Sequence, residues 1–502
     1  MIAGLVDKIV GVFSPERALQ RQRSREVQRR YDAARKDRTT SNWRPSNHSA
    51  DLEALSDADV IRARARDLVR NNAYAKGIVR AKVRNIVGCG IRPQVTVTRR
   101  NGKPNERFNQ RAEQVFERWQ RRCDVSGRLS FYEMQRLIRS ELTEAGECLV
   151  NFVRSSDRSR PVPLALELIE ADRLASDVYM AGYINPDNGN EVRRGVELDK
   201  TTGAPVAYWI YERHPNDVLT RTHRPVRRSA GTILHLYKQE RIGQTRGVSE
   251  FAPVVRWLKD LHYYVENEMV SSAIASCFSV AIKTMGAGAD GGLLDSIDSD
   301  ADDTDGNRFE YLQPGQVARL FPTEDIEVIN PNRQNASANE WINLMLRSMG
   351  VGVGLSYERL VRDYSQTNYS SNRASDLEDR REFRIEQQWL IDNLCYPVWL
   401  RFMTAAVSSG VDGFPTEQQF VSSFDDWMSV RWQPPGWEWV DPVKEQKAAA
   451  DAVASNLSTM AEELGKRGKD WREVMEQRAI EKQYALELGL SDAEASETAP
   501  AA

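Results

Sequence analysis

The chain is poor in the residues from which most enzymes build chemistry. Its five cysteines (Cys89, Cys123, Cys148, Cys277, Cys395) lie far apart with no C-x-x-C pair, which excludes a disulfide framework and a zinc ribbon. They read as reduced, buried apolar residues. The five histidines (His48, His214, His223, His235, His262) show no metal-ligand spacing. No G-x-x-x-x-G-K-[ST] string occurs, so a motor ATPase would have nowhere to cradle its phosphates. Gly286 to Gly291 matches G-x-G-x-x-G, but it follows a helical stretch, opens no helix and puts Asp290 where a pyrophosphate would sit. Gly354 to Glu358 fails as a nucleophile elbow because Glu358 stands in place of the last glycine. The acidic run 295–305 fails as a calcium loop, with Ala301 and Leu312 at the first and twelfth loop positions. These absences predict a protein that is not an enzyme and that holds no cofactor and no metal.

Long hydrophobic runs are also missing. The longest uncharged stretch, Met269 to Ile282, carries four serines and falls short of the ~20 apolar residues of a membrane helix. At the N-terminus Ile2, Leu5, Val6, Ile9, Val10 and Phe13 form a helical stripe, but Asp7 and Lys8 interrupt it, so a docking helix is expected there and not a signal peptide. Charge of one sign is missing as well: 69 Lys+Arg against 72 Asp+Glu leave a net charge of -3, a poor match to a protein that grips phosphates tightly. The exception is the segment Arg17 to Arg38, with nine basic and three acidic residues and a local charge of +6. It reads either as a solvated helix face with a flexible arm or as a DNA or partner contact through Arg21, Arg23, Arg25, Arg29 and Arg30.

What the chain does have is enough apolar content, 41%, and enough length, 502 residues, for several cores. Periodicity predicts a helical block over 57–87 stopped by Gly88 and Gly90, helices near 105–122 and 130–145, and strands at 148–153, 165–169 and 207–211. Thr202-Gly203 and Pro186-Asp187 mark turns. From Pro253 the apolar spacing of Val254, Leu258, Leu261 and Val265, continued by Val270, Ile274, Cys277 and Ala281, predicts a helix of about 30 residues, on the order of 45 Å long. A glycine-rich and acidic excursion (285–305) follows, then a β-like stretch 310–321. A second helix over 336–349 is closed by Gly350, Gly352 and Gly354. A long helix over 372–407 should kink or break at Pro397. Beyond a Trp- and Pro-rich link, 427–442, a last helical region runs over 444–488.

One polar stretch stands apart: Asp363, Tyr364, Ser365, Gln366, Thr367, Asn368, Tyr369, Ser370, Ser371, Asn372. It reads either as an ordinary loop with Ser371 or Asn372 capping the next helix, or as a loop that faces polar cargo without gripping it.

Several long strings carry a family resemblance: YDAA (31–34), RARARDLVRNNAYA (62–75), NIVGCGIRP (85–93), LIEADRL (168–174), GQTRGV (243–248), LKDL (258–261), DYS and NYSS within 363–371, and PPGWEWVDP (434–442). Through them the chain resembles the lambda family of phage portal proteins nearly end to end. The resemblance implies an α+β portal fold: a basic N-terminal region (1–50), a wing of α/β character (51–250 and 373–440), a stem of two helices (251–284 and 336–350), a clip between them (285–335), a channel loop (351–372), an α-helical crown (441–490) and a tail (491–502). It further implies a homo-oligomeric ring, usually of twelve, at one capsid vertex of the virion, made in the host bacterial cytoplasm. The ring would pass double-stranded DNA transiently and without sequence preference. Its partners would be the terminase large subunit, a head–tail adaptor and the major capsid protein, with no membrane. Asp363, Tyr364, Ser365, Gln366, Thr367, Asn368, Tyr369 and Asn372 would face the DNA. The alternative is another packaging or minor capsid component that has no channel.

Overall fold

The computed structural model describes residue 42 and residues 47–54, 57–176, 182–217, 224–276, 280–284, 324–328, 338–365, 368–437 and 441–488. The N-terminal stripe, the arginines of 17–38, the glycine string 286–291, the acidic run, the stretch 310–321, Cys277, His223, Gln366, Thr367 and the tail lie outside the described residues. The chain divides into two units, Met1–Ala50 and Asp51–Ala502, and the helices and strands from Asp57 onward belong to the second.

Residues 57–87 form two helices where one block was expected, α1 (Asp57–Asn71) and α2 (Ala73–Ile86). Asn72 makes the break: its backbone is extended, and its Oδ1 accepts from the Ala75 N–H at 3.0 Å to cap α2. Gly88 and Gly90 end α2 as expected, and at Gly90 (φ +121°) a Cβ would stand 2.5 Å from the Tyr132 ring. Cys89, between them, is exposed, against the expectation of burial, whereas Cys123, Cys148 and Cys395 are buried. A turn that must present two positive-φ glycines leaves the residue between them at the surface.

Strand β1 (Arg92–Val95), α3 (Glu106–Gln120) and α4 (Phe131–Glu144) follow, the last started by a capping box between Ser130 and Glu133. Strands β2 (Glu147–Arg154) and β3 (Leu164–Glu170) lie where expected. An antiparallel meander comprises β4 (Tyr183–Ile184), β5 (Glu191–Arg193), β6 (Val196–Leu198), β7 (Pro205–Ile210) and β8 (Val226–Ser229). Strand β9 (Ile233–Tyr237) joins the other sheet, in the order β3-β2-β9.

Helix α5 (Val255–Ser276) has 22 residues, shorter than expected, because Val280–Thr284 leaves the helix and forms strand β10. In its sequence VAIKT three of the five residues are β-branched, which favours strand over helix once a partner exists. That partner is β11 (Glu324–Val328), paired antiparallel with Val280 opposite Val328. Helix α6 (Ala338–Val353) runs past Gly350 and Gly352, which were expected to close it; only Gly354, at φ +68°, does so. The two inner glycines are close-approach positions. A Cβ at Gly350 would lie 2.6 Å from the Leu355 carbonyl oxygen, and one at Gly352 would lie 2.7 Å from Val254 Cγ1. Gly352 therefore lets α6 press against the start of α5, and Tyr264 and Trp341 pair further along with ring centroids 4.7 Å apart.

Helices α7 (Tyr357–Val361) and α8 (Tyr369–Leu390) come next. The expected long helix continues through Pro397 with a π-helical turn, Ile391–Cys395, just before it, and α9 (Tyr396–Ser408) carries that proline as its second residue. Short helices α10 (Glu417–Ser422) and α11 (Phe424–Trp427) precede β12 (Val430–Gln433), which pairs with β1. The last region holds α12 (Pro442–Ala454), α13 (Met460–Gly465) and α14 (Trp471–Glu487).

The core is aromatic. Phe116 and Trp119 of α3, Phe131 of α4, Trp399 and Phe402 of α9 and Trp432 of β12 interlock, with Phe116 and Phe402 centroids 5.1 Å apart. Each such ring contributes roughly 1.5–3 kcal/mol on burial. Trp119 Nε1 also donates to the Leu164 carbonyl at 2.8 Å, tying this core to β3. A smaller core of Leu149, Ile169, Val196, Tyr208, Ile210 and Ile233 joins the two larger sheets. The architecture is therefore mixed helix and sheet, with several small antiparallel sheets.

Candidate functional site

The polar stretch 363–372 begins at a left-handed turn and ends inside a helix. Arg362 (φ +60°, ψ 32°) closes α7, its N–H donating to the Glu358 carbonyl at 2.7 Å. Asp363 then accepts from the Ser365 N–H at 3.0 Å, and hydrogen bonds from the Ser365 side chain and backbone hold its carboxyl below the usual range. Tyr364 is 52% exposed. Tyr369 to Asn372 are already the first turn of α8, so the irregular backbone is shorter than the string suggested. The cap is Asn368, not Ser371 or Asn372. Its extended backbone places Oδ1 to accept from the Ser371 N–H at 2.8 Å, while Ser371 Oγ donates back to its carbonyl at 3.1 Å.

Tyr364 and Asn372 line a cavity of about 320 Å³ together with Ser356, Arg359, Asp376 and Asp379. Its two aspartates are met by Arg359 and by Arg380, which lies 2.7 Å from Asp376. Arg359 donates to Asp379 at 2.8 Å and pairs with Asp376, and Ser356 donates to Asp379 through its N–H at 3.0 Å and its hydroxyl at 2.7 Å. The same Arg359 donates to Asn85 Oδ1 at 2.7 Å, where Trp437 Nε1 also donates at 3.3 Å. Gln387 Nε2 spans the Asn85 and Pro435 carbonyls. Asn85 thus gathers the end of α2, α7, α8 and the 434–437 link into one rigid base. The hydroxyls of Ser356 and Ser375 rest on carboxylates, those of Asp379 and Glu358, and Asp379 is itself held by Arg359. The assembly presents hydroxyls, amides and paired charges.

Sequence reasoning missed the most deeply buried ionic cluster. Glu147, at the start of β2, is fully buried and accepts from Arg246 Nε at 2.8 Å, Arg246 Nη2 at 2.5 Å, Arg62 Nη2 at 3.0 Å and the Gly247 N–H at 2.9 Å. His235 Nε2 lies 3.0 Å from its other side. Burial alone would raise this carboxyl, but the Arg246 guanidinium and the hydrogen bonds from His235 and Arg246 hold it well below the usual carboxylate range. Burial pushes His235 down, toward the neutral imidazole. A second cluster centres on Glu250, which takes Lys82 at 2.7 Å, Arg139 at 3.0 Å and Lys238 at 2.7 Å. Burial works against its charge, and Arg139, Lys82 and Lys238 hold it well below the usual range. With its acceptor sites so engaged, Glu147 is a fastener and not a general base. One signal was present: Arg246 sits in GQTRGV, where a Cβ on Gly247 would overlap the Gly146 carbonyl, so the glycine is what brings Arg246 to β2.

Among the described residues, one group could converge on a cation, Glu170, Asp172 and His214. Its Asp172 is already taken, by Arg66 at 2.7 Å and Arg62 at 3.5 Å. No helix among the described residues is long and apolar enough to cross a membrane.

Comparison with known proteins bears on what such a frame belongs to. The model of the family described as phage portal protein, lambda family, matches residues 36–387. A probable portal protein of Halomonas phage phiHAP-1 is 28% identical over 473 residues, covering 92% of this chain and 88% of that one. Portal protein B of Escherichia phage lambda is 24% identical over 488 residues, covering 89% and 88%. A chain in the neck of the native GTA particle, computed with C12 symmetry, covers 82% of this chain and 92% of its own at 15% identity and a TM-score of 0.42. The family model spans more than two thirds of the sequence and takes in both ionic clusters, the α5–α6 pair and the polar stretch: the chain belongs to the lambda family of phage portal proteins, structural components of the particle and not enzymes.

Proposed function

We propose that this chain is the subunit of a ring, of twelve copies by family resemblance, seated at one capsid vertex of the virion. The ring conducts double-stranded DNA during packaging and ejection and docks the terminase large subunit, a head–tail adaptor and the major capsid protein. In this reading α5 and α6 are the stem, the chain between them is the clip, the helices from Pro442 onward form the crown and the channel loop is 351–372, with 363–372 toward the DNA. One observation carries it. Strands β10 and β11 pair over five residues between α5 and α6, so the chain leaves the helical pair and returns to it at one place. A helix pair closed at one end by such a ladder suits a rod with a docking module at its tip.

The electrostatics favour a conduit. A duplex carries one charge per ~1.7 Å, and each neutralised phosphate releases counterion, so a strongly basic bore would hold DNA in place. Here the chain carries a net -3, and beneath the polar stretch Arg359 and Arg380 match Asp376 and Asp379. The test is a pair of arginines placed in the stretch, Ser365→Arg with Gln366→Arg, which spares the Asn368 cap. Rings with a central hole should still form in averaged end-on images, while packaging slows or stops. Normal genome retention in particles built from the variant would remove the channel assignment, and closed shells or stable monomers from the wild-type chain would remove the ring.

A further inference from the structure

Three non-glycine residues among those described have positive φ: Arg194, Arg362 and Asn456. Asparagine tolerates that conformation. Arg194 is buried, and its guanidinium donates to Asp59 at 3.0 Å. Arg362 has no such account. It is exposed, and among the described residues its guanidinium has no carboxylate within ion-pair distance, no hydrogen bond and no ring beneath it. The backbone needs only a residue that turns left-handed after α7, and glycine does that without the Cβ penalty. Nothing in the packing rewards an arginine there.

The neighbouring arginines sharpen the point. Arg359 is bound to Asp376 and Asp379, Arg380 lies 2.7 Å from Asp376, Arg373 lies 3.7 Å from Glu445, and Arg347 stacks over the Tyr357 ring at 5.3 Å. Asp363, next in sequence, is occupied by Ser365, and Glu358 accepts from the Ser375 hydroxyl at 3.2 Å. Arg347, Arg359, Arg373 and Arg380 are thus each committed within the subunit. Arg362 stands at the threshold of the polar stretch on a backbone that favours another residue.

We infer that Arg362 is the phosphate-binding residue of this segment, offering one guanidinium per subunit to the backbone of the passing duplex. The inference rests on the channel role proposed for 363–372. A guanidinium presents a planar fork of donors that matches a phosphodiester and reads no base. One cation per copy provides a weak, renewable hold against backward slip. Further cations in each copy would add a counterion-release term for every additional phosphate neutralised and would hold the strand more tightly.

The experiment uses assembled rings of the full chain and a labelled, blunt-ended linear duplex, with binding followed by anisotropy across a salt titration. Rings of Arg362→Gln and Arg362→Gly should assemble, the glycine variant with an equal or higher Tm. Both should bind the duplex more weakly at low salt, with the slope of log K against log salt flattened by about 0.9 for each phosphate that is no longer neutralised. Arg362→Lys should keep the wild-type slope. If Arg362→Gln binds as wild type while Ser365→Arg with Gln366→Arg tightens binding, the Arg362 inference falls and the channel reading stands. If neither set of substitutions moves duplex binding, both fall. Failure of Arg362→Gln to form rings would make Arg362 an assembly residue and overturn the inference.

Discussion

Glu147 is the side chain whose loss should be felt most widely, because it is the acceptor on which Arg62 and the Arg246–Gly247 pair converge from two distant parts of the chain. Replacing it by glutamine keeps the shape and removes the charge. Two buried guanidiniums then face a neutral amide, and breaking a buried pair from one side costs about 3–5 kcal/mol. Thermal or denaturant unfolding of Glu147→Gln should show that loss, and a Tm equal to wild type would refute the role given to the cluster. The pH dependence has a definite sign. A carboxyl held well below its usual range contributes stability that is present above its unfolded pKa, ~4.3, and is lost as pH falls below that value through the lower folded pKa. Wild-type stability should therefore decline on the acid side, with a steeper acid limb than the variant shows.

At the scale of elements, the contact of α3 with the C-terminal helices carries a titration of opposite sense. Glu113 of α3 is pushed up to about 7 by burial, against the Val95 N–H that it accepts at 2.7 Å, with Asp470 and Glu473 of the C-terminal region adding to the rise and Arg472 opposing it. The folded form then binds a proton that the unfolded chain releases near ~4.3, so stability falls as pH rises from there to about 7. Glu113→Gln keeps an acceptor for Val95 and removes the charge. It should flatten this limb and raise stability near pH 8 by about 1–2 kcal/mol after allowance for partial solvent screening; a variant with an unchanged pH profile would count against it. The same elements show what the sequence made legible. Helices α3 and α4 could be read from amphipathic spacing and from Ser130 and Glu133, because those signals are local. The strand at Val280–Thr284 could not, since it exists only through a partner more than forty residues away. The Glu147 cluster was hidden for the same reason: Arg62 and Arg246 lie 85 and 99 residues from it, and each arginine, seen in its own string, reads as one more solvated charge. The polar stretch was found by composition, but its cap and its left-handed threshold depend on backbone conformation that composition does not encode.

For the whole molecule, the faces of α5 and α6 that remain uncovered argue for assembly. Inward, Leu258, Leu261, Leu346 and Met349 are buried; outward, Tyr263, Met269, Leu344 and Val351 are 51%, 61%, 62% and 85% exposed. A single subunit would keep these side chains in water, whereas neighbouring copies in a ring would remove each at a gain of roughly 1.5–3 kcal/mol, repeated at every interface. Leu344→Asp with Val351→Asp places two charges on that outer row without entering the core. The variant subunit should fold, with wild-type circular dichroism and a monomer Tm within a few degrees, but sediment as a monomer or small oligomer where the wild type sediments as a ring. The discriminating result is assembly with folding intact: full rings from the double variant would mean that subunits meet through other surfaces, such as the groove that α5 forms with α1, and the stem assignment would have to move with them.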